Sequence, residues 1–202
     1  MKISLEAKAW LNCDPKHLWI FDKLIVSKLS GHICGPRGIP VPKPGEYFVK
    51  PVMNIEGMGE KARKIYIDEE TTELLHPGEF WCEVFHGEHL SIDYKKYNPV
   101  LKVVGTKDEK RPYQRFARWE KTEKWHPLPQ FIGLIPLQYK TINCEFIDGK
   151  LIEIHLRENP DFAYGNTSVI PLWKDEPDPT PEGDRFIDDE VTELERIGIY
   201  VK

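Results

Sequence analysis

The sequence holds no two cysteines close enough to form a C-x-x-C motif: Cys13, Cys34, Cys82 and Cys144 lie far apart along 202 residues. That spacing excludes a zinc ribbon or a redox dithiol and points to a reduced, intracellular chain. No apolar run reaches the roughly 18 residues that a membrane-crossing helix needs. The opening MKISLEAKAW has none of the continuous apolar character of a signal peptide. A soluble, cytoplasmic protein is expected. Positive charge is also in deficit, with 28 Lys and Arg against 33 Asp and Glu and a net charge of -5. Without a global positive field to attract nucleic acid or anionic lipid, any bound anion has to be held by local lysines, arginines and backbone N–H groups. The seven histidines show no H-x-x-x-H spacing, so no helical metal pair is indicated.

Hydrophobic residues make up 40% of the chain, enough for one core of ordinary size or for two small lobes sharing an interface. Leu18, Phe21, Ile25 and Leu29 recur at helical spacing and predict an amphipathic helix over 14–29, with Asp14 as N-cap and Pro15 in the first turn. The Gly- and Pro-rich stretch 31–45 predicts an extended connector. Strands are predicted over 47–52 and 62–67, making a hairpin around Gly57-Met58-Gly59. Two more are expected within 79–94, meeting at a turn or bulge at Gly87-Glu88, and 100–104 continues the sheet. From 105 to 129, Arg111, Arg115, Arg118, Lys121 and Lys124 alternate with aromatics and read as a long loop or short helix. Asp148-Gly149 joins strands over 141–147 and 151–156, the strongest hairpin signal in the chain. An acidic, Pro-rich linker at 174–183 precedes a short terminal helix over 188–197, with Val191, Leu194 and Ile197 on one face.

Two groups of residues carry chemistry. Lys50 sits on a strand just before the Gly57 and Gly59 turn, an arrangement that offers phosphate both a point charge and close backbone N–H groups. Glu145 and Glu153 flank the Asp148-Gly149 hairpin. Carboxylates on one face of such a pair are about 5 Å apart and either repel or share a cation, and Mg²⁺ suits one or two carboxylates plus phosphate oxygens. The plainer alternatives are a solvated strand lysine and a glutamate turned to water. Arg115 and Arg118 would share a face if their segment were helical and could then grip a γ-phosphate or an acyl phosphate.

These features occur in an order that resembles the ATP-grasp family, from about Asp22 to Asn159. Asp22-Lys23 resembles the start of the family's lysine-bearing helix, and Gly38-Ile39-Pro40-Val41-Pro42 the connector after it. Phe48-Val49-Lys50-Pro51 and Gly57-Met58-Gly59 are similar to the phosphate-binding strand and the flexible glycine loop. Glu83 through Glu88 resembles the hinge strand, and Glu145-Phe146 with Glu153-Ile154-His155-Leu156-Arg157 resembles the metal-binding close. The resemblance implies an α+β fold of two small lobes whose antiparallel sheets grip a nucleotide. It divides a single unit, 1–202, into a helix and connector (14–45), a glycine-loop lobe (46–82), a metal and phosphate lobe (83–173) and an acidic linker and tail (174–202).

The cofactors implied are ATP and Mg²⁺. Lys23, Lys50, Gly57 and Gly59 would hold phosphates, Glu83 the adenine and Glu88 the ribose. Glu145 and Glu153, with His155 and Asn159, would hold the metal, and Arg157, Arg115 and Arg118 would serve the transferring group. The implied reaction is ligation of a small-molecule or peptide carboxylate, activated as an acyl phosphate, to an amine or other nucleophile. Three departures from the family pattern favour an alternative, an ATP-binding regulatory protein with reduced catalysis. His155 replaces the usual asparagine, the family's preceding α/β domain is missing, and prolines break the stretch before Glu145. A nucleic-acid binder using 111–124 is a third reading, opposed by the acidic remainder of the chain.

Overall fold

The computed structural model describes residues 4–53, 61–68, 75–108, 110–111, 115–189 and 196–202. Polar caps set the two α-helices found among the described residues. Ser4 Oγ accepts from the Ala7 N–H at 3.1 Å and opens α1 (Leu5–Leu11), an element the sequence pattern did not announce. Asp14 and Pro15 begin the next element as expected, but the single helix over 14–29 is two pieces, a 3₁₀ helix Pro15–Phe21 and α2 (Lys23–Leu29). Asp22 makes the break. Its backbone is extended, and its carboxylate accepts from the Ile25 N–H at 2.8 Å, capping α2.

Four strands form a small antiparallel sheet: β1 (Cys34–Pro36), β2 (Gly45–Pro51), β3 (Arg63–Ile67) and β4 (Glu79–Glu83), in the order β1-β4-β2-β3. β2 and β3 are the expected hairpin, and their Gly57-Met58-Gly59 turn lies outside the described residues. β1 falls within the stretch expected to be a connector. Alternation sends Tyr47, Val49 and Trp81 into a core with Val41, Ile67 and Leu75. Phe48 and Lys50, paired with Cys82 and Phe80, take the other face.

The large sheet contains β5 (His89–Lys95), β6 (Asn98–Lys107), β7 (Phe116–Lys121), β8 (Ile142–Ile147), β9 (Lys150–His155), β10 (Ser168–Trp173), β11 (Arg185–Asp188) and β12 (Arg196–Val201). Its order is β11-β12-β10-β7-β6-β5-β8-β9, with every pairing antiparallel. Asp148 and Gly149 have φ of 48° and 76°, both positive as a type I′ turn requires, and join β8 to β9. The α+β class and the two antiparallel sheets are those expected.

Three local expectations are corrected. β4 and β5 do not meet at Gly87, because each belongs to a different sheet. The charged stretch 105–129 contains β7, which pairs with β6 and β10. The terminal helix is replaced at both of its ends by strand: Asp188 closes β11 and Arg196 opens β12, while 190–195 lies outside the described residues. Ile199 and Val201 of β12 join Val169 and Val103 in a core, and this long-range burial outweighs the local helical spacing.

One face of the large sheet is covered. Leu90, Ile92, Tyr94, Cys144, Phe146 and Ile154 pack against Ile20, Phe21, Val26 and Ile132, each fully buried apolar side chain contributing about 1.5–3 kcal/mol. The opposite face of β5, β8 and β9 carries polar side chains and turns toward the small sheet.

Candidate functional site

Period-two alternation builds a polar lattice on that open face. Across β5, β8 and β9, Ser91 is paired with Glu145 and Glu145 with Glu153; in the next row Asp93 is paired with Asn143 and Asn143 with His155. Leu90, Ile92 and Cys144 take the covered side. A bulge between Glu145 and Phe146 shifts the register of β9, so that Leu151 pairs with Phe146 on the core side while Ile152 and Glu153 both line the cavity. Asn143, 1% exposed, ties the lattice together by donating to Ser91 Oγ at 2.9 Å and Asp93 Oδ1 at 2.8 Å. Asp93 is pushed above the usual carboxylate range by burial, with the Asn143 bond working the other way.

A cavity separates this lattice from the small sheet and holds about 210 Å³ open to the centres of water molecules. Lys23 enters it from the start of α2, fixed by its own N–H donating to the Val52 carbonyl at 2.8 Å. Its Nζ stands 3.0 Å from Glu153 Oε1, with both groups buried. Lys50 enters from β2, its Nζ 3.4 Å from the Ile152 carbonyl and 5.5 Å from the centre of the Phe80 ring. Burial, and then the charge of Lys23, lower the pKa of Lys50. Two cations and two carboxylates thus share one enclosed space, the composition suited to a polyanion and its counter-ion.

His155 is central to the electrostatics. Its Nδ1 lies 2.9 Å from Glu6 Oε2, and its Nε2 lies 3.7 Å from Glu145 Oε1 and 3.8 Å from Glu153 Oε1. Burial opposes its charge, but Glu6 and Glu145 outweigh burial and raise its pKa to about 9. Burial likewise works against the Glu145 carboxylate, yet His155 and His89 hold it well below the usual range, with His89 Nε2 at 3.0 Å. Glu6 behaves the same way between His155 and Arg157, whose Nε is 2.6 Å away. A histidine whose folded pKa exceeds the ordinary 6.5 stabilises the fold fully below pH 6.5, and that stability is lost as pH rises through about 9. In chelator-containing buffer the melting temperature is expected to fall between about pH 6.5 and 9.5, and Glu6→Gln is expected to flatten that fall. An identical pH profile in the variant would remove the assignment.

The structure brings together Lys23, Lys50, Glu83, Glu145, Glu153, His155, Arg157 and Asn159 as cavity-lining residues. Gly57 and Gly59 lie outside the described residues. Glu88 is exposed beyond the cavity, with Lys124 Nζ 2.6 Å from its carboxylate. Arg118 pairs with Glu120 at 3.3 Å instead of entering the site. Arg115 is buried, bound to Asp175 at 2.6 Å and to Glu176 at 3.3 Å, with its guanidinium over the Trp173 ring. The helix that would have put both arginines on one face is an extended segment, and their guanidiniums are taken by different carboxylates, Asp175 and Glu176 for Arg115 and Glu120 for Arg118.

The expected metal set also narrows. His155 Nδ1 is taken by Glu6 at 2.9 Å and imidazole is a softer donor than Mg²⁺ favours, while Asn159 Oδ1 already accepts from the Asp161 N–H at 3.1 Å, capping the 3₁₀ helix Pro160–Phe162. Among the described residues no group of three or more His, Cys, Asp or Glu is arranged to hold a metal. Glu145 and Glu153 fit a Mg²⁺ that completes its shell with phosphate oxygens and water. Sequence reasoning missed Glu6, His89 and Asn143. The signal for His89 was present: His89, Ser91 and Asp93 alternate with Leu90, Ile92 and Tyr94, a strand with a polar face.

No protein-family model matches the sequence. No curated protein matches it either. Among solved structures, similarity is found to the ATP-grasp ligase PsnB in complex with a minimal precursor, at 16% identity and a TM-score of 0.46 over 72% of this chain and 54% of that one. An ATP-grasp superfamily protein from Archaeoglobus fulgidus is similar at 12% identity and a TM-score of 0.46, over 91% and 64% of the two chains. An L-amino acid ligase from Bacillus licheniformis is similar at 12% identity and a TM-score of 0.43, over 70% and 41%. The chain therefore spans less than two thirds of each of these proteins, and residue roles rest on the geometry above. Among the described residues no helix is long and apolar enough to cross a membrane.

Proposed function

We propose that the chain binds ATP with Mg²⁺ between its two sheets and uses it to ligate a carboxylate to an amine or other nucleophile. One observation carries this reading: buried Lys23 and Lys50 face Glu145 and Glu153 across a single cavity. The lysines neutralise phosphate oxygens as point charges. Glu145 and Glu153 would hold Mg²⁺, which when bound supplies further charge neutralisation to the phosphates. An acceptor carboxylate oxygen attacks the γ-phosphorus, the bond to the β-bridging oxygen breaks, and ADP leaves with that electron pair. The amine then attacks the acyl carbon, phosphate departs with the carbon–oxygen electron pair, and the amine proton passes to solvent or phosphate. Such a reaction asks the protein for positioning and charge rather than a covalent nucleophile.

A second reading, nucleotide binding without turnover, draws on the His155 imidazolium, which already offers positive charge to both carboxylates. Phosphate release from ATP with Mg²⁺ and mixed amino acids separates the two. The ligase reading expects release that requires the amino acids and slows at least about 100-fold in Glu153→Ala. ATP binding without release by the unaltered chain would support the second reading, and equal release by both proteins would contradict the first.

A further inference from the structure

The phosphate end does not account for the whole cavity. Beyond His89 its wall continues through Lys107, Phe116 and Trp119 to Pro171 and Trp173. Phe116 and Trp119 pack with ring centres 4.3 Å apart, and His89 stands edge-on to them at 4.8 and 5.4 Å. Gly105 makes room for both rings. A Cβ there would come within 2.5 Å of Phe116 and 3.0 Å of Trp119. From outside the cavity, the Arg115 guanidinium sits 4.7 Å from the Trp173 ring centre and steadies it.

This end also contains polar atoms that the protein does not satisfy. His89 Nδ1 and Trp173 Nε1 are buried, and neither has a hydrogen-bond partner among the described residues. Buried polar groups are nearly always paired, so two unmatched nitrogens on residues that line one cavity leave a place for a partner the described residues do not supply. Lys107 lies at the rim, exposed as a residue, with its Nζ 4.7 Å from the centre of the Phe116 ring. Partial burial of that ammonium lowers its pKa to about 8, with Glu145 working the other way, so it remains largely cationic at neutral pH.

We propose that this end is the acceptor subsite and takes a carboxylic acid bearing an aromatic or large apolar group. Phe116, Trp119 and Trp173 receive the apolar part, and Lys107 with the Trp173 N–H receives the carboxylate. The word acceptor rests on the nucleotide reading above, whereas the binding chemistry stands on this wall alone.

Calorimetric titration of the whole chain with 3-phenylpropionate, propionate and 3-phenylpropanamide tests the proposal without nucleotide. 3-Phenylpropionate should bind about tenfold tighter than either control, since one lacks the ring and the other the charge. Lys107→Met, which keeps the stem over Phe116, and Trp173→Phe, which removes one N–H, should each weaken it by about tenfold. Equal affinity for all three probes, or unchanged affinity in both variants, would overturn the subsite. A separate titration with AMP-PNP and Mg²⁺ tests the nucleotide reading by itself. Additive binding of AMP-PNP and 3-phenylpropionate supports adjacent subsites; competition would assign this end to the base and overturn the proposal.

Discussion

Replacing Glu6 with alanine is expected to lower stability by about 3 kcal/mol at neutral pH, a fall in melting temperature of about 6–12 °C for a chain of this size. Glu6 is 3% exposed and bonds both His155 and Arg157. Without it the imidazole loses the partner that most favours its charge, and it either remains as a buried, under-compensated cation or gives up its proton. Both outcomes are costly. The source of the loss can be isolated by a double-mutant cycle. In a His155→Asn background, Glu6→Ala should cost only about 1.5 kcal/mol, because just the Arg157 pair is then broken. Equal costs in the two backgrounds, measured by denaturant melts, would dissociate Glu6 from His155.

Lys50→Met is expected to move binding and stability in opposite directions. The methionine stem keeps the packing against Phe80, but the charge is gone, and affinity for AMP-PNP with Mg²⁺ should fall about 10- to 100-fold. The same change should raise the melting temperature. Burial and the neighbouring Lys23 already disfavour the Lys50 cation, so in the empty protein its removal relieves a penalty of the order of 1 kcal/mol. A structural lysine would behave differently: its loss would lower stability and leave nucleotide affinity alone. Titration calorimetry paired with thermal melts on the same samples separates these cases.

What could be read from the sequence was mostly local. Asp148-Gly149 specifies a two-residue turn that pairs Ile147 with Lys150 and Phe146 with Leu151, whereas the bulge that then sets Glu145 opposite Glu153 has no such local signal. Asp14-Pro15 and the β2 alternation were legible for the same reason, since their signals lie within a few residues. β7 was missed because Arg118, Glu120 and Lys121, with the charges on either side, gave the segment the look of a solvated loop, whereas Phe116 and Trp119 turn to the cavity. The β12 strand was misread because Ile197 also fits helical spacing, and pairing with β10 and β11 is decided by partners far away in sequence. Glu6 is the extreme case. It meets His155 across a separation of 149 residues, which no local pattern can report. The histidine at 155 was legible, but its meaning was not, because the protonation state of His155 depends on that distant carboxylate.

The most direct measurement is a crystal structure of the full chain with AMP-PNP and Mg²⁺. A triphosphate lying between the ammonium groups of Lys23 and Lys50, with the ion against Glu145 and Glu153, is the expected result. A nucleotide bound on another surface, or a cavity still empty at saturating AMP-PNP, would contradict it.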